Sequence, residues 1–492
     1  MSLINISNLT FSYNNSYENI FENVSLQIDS SWKLGLIGRN GRGKTTLLKL
    51  LQGKYEYSGS ITSKLSFEYF PYNIENEAIN TIDIVESINP NYEYWELSKE
   101  LSLLDTNDDI LFRPFNTLSS GEKVKALLAT LFTKQNSFLL IDEPTNHLDE
   151  NARNAIIKYL KHKKGFIIIS HDRDILDKCI DHIMSINITN IDIQKGNFSS
   201  WKENKDKQDK FELEKNNNLK KDIQRLNDAA KRTESWSNKV ESTKFNNLAS
   251  GSKPDRGYIG HKSAKLMQRA KSIESRKLKE ANEKSKLLKN IEVYDDLKLH
   301  TLKYHSNILA SVKNLSISYG DNVIFNNVSF EISTGDAIAI TGKNGSGKSS
   351  IIKLILGENI KHNGDININQ NIVISYVPQD ITHLKGNLRE YAITNSINES
   401  LFKTILRKLD FTREDFDKDI TTYSLGQKKK VAIAKSLSQE AHLYIWDEPL
   451  NYIDIFSRMQ IEKLLLEYKP TIIFVEHDAT FRKNIANKII EL

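Results

Sequence analysis

A chain of 492 residues is too long for one ordinary domain, and 39% hydrophobic with 27% charged residues allows sizeable cores and excludes a wholly disordered chain. The net charge is only +5, and a single cysteine, Cys179, excludes an intrachain disulfide or a thiolate metal cluster. No apolar run approaches the ~18 residues of a membrane span, and the N-terminus lacks the basic start and long apolar run of a secretion signal, so a cytoplasmic, membrane-free protein is expected.

In chain order, the first informative element is a short apolar strand, WKLGLIG, running into the glycine-rich loop GRNGRGKTT (Gly38 to Thr46). KTTLLKLLQG then opens a helix. Glycines at 38, 41 and 43 permit a tight backbone wrap whose amide hydrogens point at phosphates. Lys44 offers a charge to the outer phosphates, and the Thr45 hydroxyl is a magnesium ligand candidate; Asn40 and Thr46 complete the loop. LSSGE follows at Leu118 to Glu122. The apolar strand FLLIDEP then ends in Asp142, a candidate to hold magnesium, and Glu143, placed to polarise an attacking water. A further apolar strand, FIIIS, leads to His171, a candidate sensor of the terminal phosphate.

Residues 201–290 differ in character. They hold 24 Lys or Arg against 13 Asp or Glu, a net +11, which leaves the rest of the chain at −6. Apolar or small residues recur at helical spacing, first at Leu219, Ile223, Leu226, Ala230, Thr233 and Val240, then at Leu266, Ala270, Ile273, Ala281, Leu288 and Ile291. The pattern predicts two long helices in an antiparallel hairpin with a narrow apolar seam, turning near Leu248 to Gly260. Helices of about 30 to 40 residues extend on the order of 50 Å. Two readings stand: a solvated charged spacer, or an arm reaching a polyanion.

Beyond this stretch the first pattern returns, displaced by about 305 residues, which marks a duplicated domain. DAIAITG runs into GKNGSGKSS (Gly342 to Ser350), with Asn344, Gly345, Gly347, Lys348, Ser349 and Ser350 in the corresponding places. YSLGQ (Tyr423 to Gln427) matches LSSGE, YIWDEP supplies Asp447 and Glu448, and FVEHD supplies His477.

These motifs together resemble the ATP-binding cassette superfamily, specifically its F subfamily of soluble twin-cassette translation factors, and the resemblance covers the whole chain. It implies an α/β fold of two ABC-type P-loop ATPase domains joined by a long α-helical hairpin linker. The first domain is expected at 1–198, the linker at 199–307 with its tip near 244–262, and the second domain at 308–492. In such proteins the cassettes meet head to tail. Lys44 would then share a nucleotide with Ser424 and Gly426, and Lys348 with Ser119 or Ser120 and Gly121. Tyr13 and Tyr319 match the aromatic that stacks on adenine, and Gln379 matches the glutamine that helps hold magnesium. ATP and Mg2+ are the implied cofactors, and a monomer with its own cassettes paired is the expected assembly.

Three departures from the pattern are visible. Tyr72 stands where the first copy would carry the glutamine, so the two sites need not hydrolyse equally. Leu425 and Gln427 replace the usual second serine and the usual acid in the second signature. PTNHLD at Pro144 to Asp149 becomes PLNYID at Pro449 to Asp454. Both glutamates are kept, so two competent sites are expected.

Within the subfamily the segment Gly257 to Glu274 and the long linker resemble the antibiotic-resistance group of the Lsa and Vga kind. The resemblance implies a factor that binds the bacterial ribosome at the tRNA exit site. Its arm would reach 23S rRNA near the peptidyl-transferase centre and P-site tRNA. There it would displace lincosamide, pleuromutilin and streptogramin A antibiotics. The alternatives are a housekeeping translation factor of the same subfamily, a nucleotide-gated nucleic-acid-binding module, and the ATPase of an exporter, which would need a separate membrane chain. Candidate tip contacts are Lys244, Phe245, Lys253, Arg256 and Tyr258, with Lys262, Lys265, Arg269 and Lys271 as a basic flank.

Overall fold

The computed structural model describes residues 2–13, 19–146, 148–187, 190–242, 297–319 and 322–492, and scattered positions between 261 and 279. The chain folds into two compact units, one of residues 1–201 with 294–492 and one of residues 202–293.

In the first cassette a strand pair, β1 (Leu3–Phe11) and β2 (Phe21–Asp29), precedes β3 (Lys33–Ile37) and the helix α1 (Lys44–Leu51). Next come β4 (Ser58–Thr62), β5 (Ser66–Phe70), α2 (Thr81–Ile88), α3 (Tyr94–Leu103) and α4 (Ser120–Phe132). The cassette closes with β6 (Ser137–Asp142), α5 (Glu150–His162), β7 (Phe166–Ile169), α6 (Arg173–Lys178), β8 (His182–Ile186) and β9 (Ile191–Lys195). The main sheet runs β5-β6-β7-β3-β8-β9, parallel except for the final antiparallel pair. Its central strands are continuous apolar runs because helices cover both faces: Phe138, Leu140, Ile167 and Ile168 are fully buried. A small antiparallel sheet, β2-β1-β4, packs over α1.

The first arm of the linker, α7 (Phe198–Ser242), is one helix of 45 residues, about 68 Å long at 1.5 Å per residue. It is rooted in the first cassette through Phe198 and Trp201, both buried in that core. The described positions of 261–279 are helical as well. The expected turn and the tip candidates Lys244, Phe245, Lys253, Arg256 and Tyr258, with Lys262 and Arg269, lie outside the described residues.

The second cassette repeats the plan. It contains β10 (Ile308–Tyr319), β11 (Asn322–Ser333), β12 (Ala337–Thr341), α8 (Lys348–Ile355), β13 (His362–Ile368) and β14 (Ile374–Val377). These are followed by α9 (Leu388–Thr394), α10 (Glu399–Lys408), α11 (Leu425–Ser438), β15 (Leu443–Asp447), α12 (Ile455–Tyr468), β16 (Ile472–Val475), α13 (Ala479–Ile485) and β17 (Lys488–Glu491). Its sheet order, β14-β15-β16-β12-β17, superposes topologically on β5-β6-β7-β3-β8, as duplication requires. Leu297 and Leu299, ahead of β10, are already buried in this cassette's core.

The two cassettes contact each other directly. Arg39 pairs with Asp410 at 3.1 Å, Arg173 with Glu462 at 2.5 Å, and Arg482 with Glu150 at 2.7 Å. Arg153 donates to the carbonyl of His477 at 2.9 Å. Trp201 also meets Phe456 of α12, with ring centroids 6.1 Å apart. No helix among the described residues is long and apolar enough to cross a membrane.

Candidate functional site

Each phosphate loop leaves the C-terminal end of a central strand and enters a helix through a glycine in the left-handed region, Gly43 at φ 84° and Gly347 at φ 89°. A side chain on Gly43 would collide with Ile20 at 2.6 Å as well, so two constraints demand glycine there. The loop lysines are buried and ordered by the loop itself. Lys44 Nζ donates to the carbonyls of Gly38 and Arg39 at 2.8 and 3.0 Å and lies 3.3 Å from Asn40 Oδ1. Lys348 Nζ likewise donates to Gly342 and Lys343 at 2.9 and 2.8 Å. Burial lowers the pKa of both lysines, partly offset by the nearby acids.

The magnesium candidates meet in pairs. Thr45 Oγ1 donates to Asp142 Oδ2 at 2.8 Å, and the Ser349 hydroxyl bonds to Asp447. Hydroxyl and carboxylate oxygens are the ligands a small hard cation takes, and its remaining positions go to phosphate and water. Among the described residues no cluster of three or more His, Cys, Asp or Glu could hold a metal without such help. Burial raises the pKa of Asp142 and takes Asp447 up to about 6. Tyr69 also donates to Asp142 Oδ2 at 3.0 Å, a contact the motifs do not signal.

The two glutamates sit in matching geometry. Glu143 and Glu448 take φ values of 50° and 48°, unusual for glutamate, and each amide is held by a carbonyl of the neighbouring strand. His171 Nε2 is 3.3 Å from Glu143 Oε1, and His477 Nε2 is 3.5 Å from Glu448 Oε1. Burial, reinforced by Asp142, pushes Glu143 up to about 8. Burial and the Lys44 charge hold His171 well below its usual range, so the ring is neutral. A carboxyl so destabilised in its charged form is a strong base toward a water placed against it.

The signatures reach across. A cavity of about 430 Å³ is lined by Asn40, Gly41 and Arg42 from the first cassette and by Ser424, Gln427 and Lys430 from the second. The other, of about 410 Å³, joins Gly345, Lys348, Ser349, Gln379 and Glu448 to Ser120 of the first cassette. Ser119 caps α4 by accepting from the Glu122 amide at 3.2 Å. Gln427 preserves the same capping box on α11, so the missing acid costs no cap. Gly426 lies where an added Cβ would be 2.8 Å from Asn40 Nδ2 of the opposite loop, whereas Gly121 faces Ala152 of its own cassette. Each of the two cavities is therefore lined by residues of both cassettes.

Of the remaining candidates, Tyr13 is half-exposed, hydrogen-bonds Thr46 Oγ1 at 2.9 Å, and is held edge-on by Phe11 and Tyr55. The Tyr319 side chain lies outside the described residues, as does His147. Gln379 is exposed at the second cavity. Tyr72 packs against the core instead, its hydroxyl buried without a partner and the Lys134 ammonium 5.5 Å from its ring. Three groups at the sites escaped the motifs: Asp410, which pairs with Arg39, and the buried Lys429 and Lys430. Lys428, Lys429 and Lys430 are consecutive in sequence, yet all three are buried, and Lys430 pairs with Asp454 at 2.8 Å.

The profile of the ABC transporter family matches residues 21–146 and 325–451. The chain therefore belongs to that family of ATP-binding cassette ATPases. Ribosome protection protein VmlR of Bacillus subtilis is 27% identical over 97% of this chain and 84% of its own. ATP-binding protein Uup of Buchnera aphidicola is 28% identical over 99% of this chain and 80% of its own. Among solved structures, the archaeal ribosome recycling factor aABCE1, in complex with stalk protein aP1, shares the fold with a TM-score of 0.62. It is 18% identical over 98% of this chain and 87% of its own. With two phosphate loops, two Asp-Glu strand ends and two signatures, the protein is an ATP-hydrolysing enzyme.

Proposed function

We propose that this chain is an ATP-gated translation factor that binds the ribosome in the cytoplasm as a monomer. The observation carrying this reading is the likeness to VmlR over 97% of the chain, which takes in the linker as well as both cassettes. The cassettes close on ATP at the two shared sites. Lys44 and Lys348 neutralise the outer phosphates, and Thr45 with Asp142, and Ser349 with Asp447, would hold Mg2+, which would supply further positive charge against the phosphates. Glu143 and Glu448 accept the proton of the attacking water, with His171 and His477 fixing their carboxylates. Loss of the terminal phosphate removes the charge that bridges loop to signature, and the cassettes part. The linker carries a net +11 over 201–290, which suits contact with ribosomal RNA phosphates.

A narrower reading is that the factor displaces lincosamides, pleuromutilins and streptogramin A from the peptidyl-transferase region, its arm entering from the tRNA exit site. It is favoured by the name of the same relative, a ribosome protection protein. The test is sedimentation with purified ribosomes: ATP with Glu143→Gln and Glu448→Gln should hold the protein in the ribosomal pellet. Failure of ATP and the double variant to increase binding overturns the proposal. Expression in a drug-sensitive bacterium then separates the readings. Protection by the wild type alone supports drug displacement, and growth inhibition without protection supports a factor of ordinary translation.

A further inference from the structure

The helix α11 touches both nucleotide sites, through different residues. At its N-terminus Ser424 and Gln427 line the first cavity, opposite Asn40, Gly41 and Arg42. Gly426 is wedged between the carbonyl of Tyr452 and Asn40 Nδ2, which are themselves hydrogen-bonded across the cassettes at 2.9 Å. Less than one helical turn further on, Lys429 turns inward and is only 1% exposed. Its ammonium donates to the carbonyls of Pro378, Gln379 and Asp447 at 2.9, 3.3 and 3.3 Å. Gln379 and Asp447 belong to the second site. The carboxylates whose fields reach Lys429 are Glu476, Asp447, Glu448 and Asp380.

A buried ammonium is costly unless its donors are all used, so three carbonyls at hydrogen-bonding distance mark a fixed tether. The tether joins the glutamine segment of the second site to the strand end that carries its metal ligand. Both are pinned to the helix whose tip closes the first site. Among the described residues the first cassette has no equivalent lysine: the corresponding position of α4 is Val124, which packs against the apolar core of that cassette, as Tyr72 does.

We propose that Lys429 is a positioning residue that makes hydrolysis at the second site depend on occupancy of the first, and that this dependence runs one way. When nucleotide draws Ser424 and Gly426 against the first phosphate loop, α11 moves as a rigid rod. Lys429 then carries Gln379 and Asp447 into their working positions. Nucleotide at the second site closes on α4, where Val124 stands in place of the lysine and donates no hydrogen bond to the strand end of the first cassette.

The test is a set of turnover ratios in the full-length protein. Glu143→Gln silences the first site while it still binds ATP; adding Lys44→Ala empties it. The ratio of second-site kcat between these two proteins measures the coupling, and about tenfold is expected. Lys429→Met should reduce that ratio to about twofold or less, leaving the KM for ATP at the second site unchanged. Lys429→Arg, which keeps the donors and the charge, should restore most of the coupling. The reverse ratio, read at the first site with Glu448→Gln and then Lys348→Ala added, should be near one and should not respond to Lys429→Met. Lys429→Gln, too short to reach all three carbonyls, provides a second variant if the methionine form does not fold. A forward ratio unchanged by Lys429→Met or Lys429→Gln overturns the proposal, as does equal loss of turnover at both sites.

Discussion

Replacing Gly426 by alanine should separate folding from closure of the first nucleotide site. Gly426 lies in the first turn of α11 without a left-handed backbone, so alanine is conformationally acceptable and on propensity alone is favoured by up to about 1 kcal/mol. Its Cβ would nonetheless sit 2.7 Å from the Tyr452 carbonyl oxygen and 2.8 Å from Asn40 Nδ2. Optimal separation for such atoms is about 3.5 Å, so the loop and the signature must part by about half an ångström or more. That breaks the Asn40–Tyr452 hydrogen bond between the cassettes. Overpacking of this kind costs about 1–3 kcal/mol, or about 5- to 150-fold in the closed population. At the second site the same change is milder, because a Cβ on Gly121 meets only Ala152 Cβ, at 3.1 Å. The assay is phosphate release at saturating ATP, with Glu448→Gln reporting the first site and Glu143→Gln the second. Gly426→Ala should lose about tenfold at the first site with its melting temperature kept, and Gly121→Ala should lose about threefold or less at the second. First-site turnover within about twofold of the parent, or an equal loss from Gly121→Ala, would refute the reasoning.

Arg39→Ala should weaken nucleotide binding at the first site about tenfold, because Asp410 loses its partner in a largely buried pair; titration with a fluorescent ATP analogue measures it. Asp410→Ala should cost about the same, and the double variant little more, since both changes remove one interaction. Tyr72→Phe should be neutral or stabilising by up to about 1 kcal/mol in urea unfolding, because the hydroxyl it removes is buried without a partner. Trp201→Ala should destabilise by about 3–5 kcal/mol, since Trp201 is packed between Phe198 and Phe456; a drop in the thermal midpoint reports it. Burial pushes the Cys179 thiol up to about 12, so at pH 8 the reactive thiolate is scarce, and iodoacetamide should label it only after unfolding.

The local chemistry of each site was legible because its parts are continuous in sequence. A phosphate loop is one strand, one turn and one helix start, and its glycines are demanded by backbone geometry within a few residues. The acids follow from the end of an apolar strand in the same way. Tyr69 and Lys429 were not legible, because nothing near them in sequence says which carboxylate or carbonyl they will meet. Lys429 in particular sits in a run of three lysines that composition assigns to solvent, yet it is almost wholly buried. Only the packing of α11 against β14 and β15 supplies the carbonyls that make its burial tolerable.

By itself, then, the sequence determined the duplication, the two ATP-binding loops, the acids and histidines behind them, and a long helix between the cassettes. These depend on period, turn chemistry and short-range spacing, which a single chain displays openly. The tertiary structure supplied the contact that no spacing in the chain displays, since Asn40 and Tyr452, 412 positions apart, meet only when the cassettes pack against each other. The inequality of the two sites is announced in sequence by Tyr72 against Gln379, and the tertiary structure adds the packing behind it. One carries a buried lysine tether and the other a packed valine and tyrosine, and the cost of burying a charge depends on partners brought from distant segments.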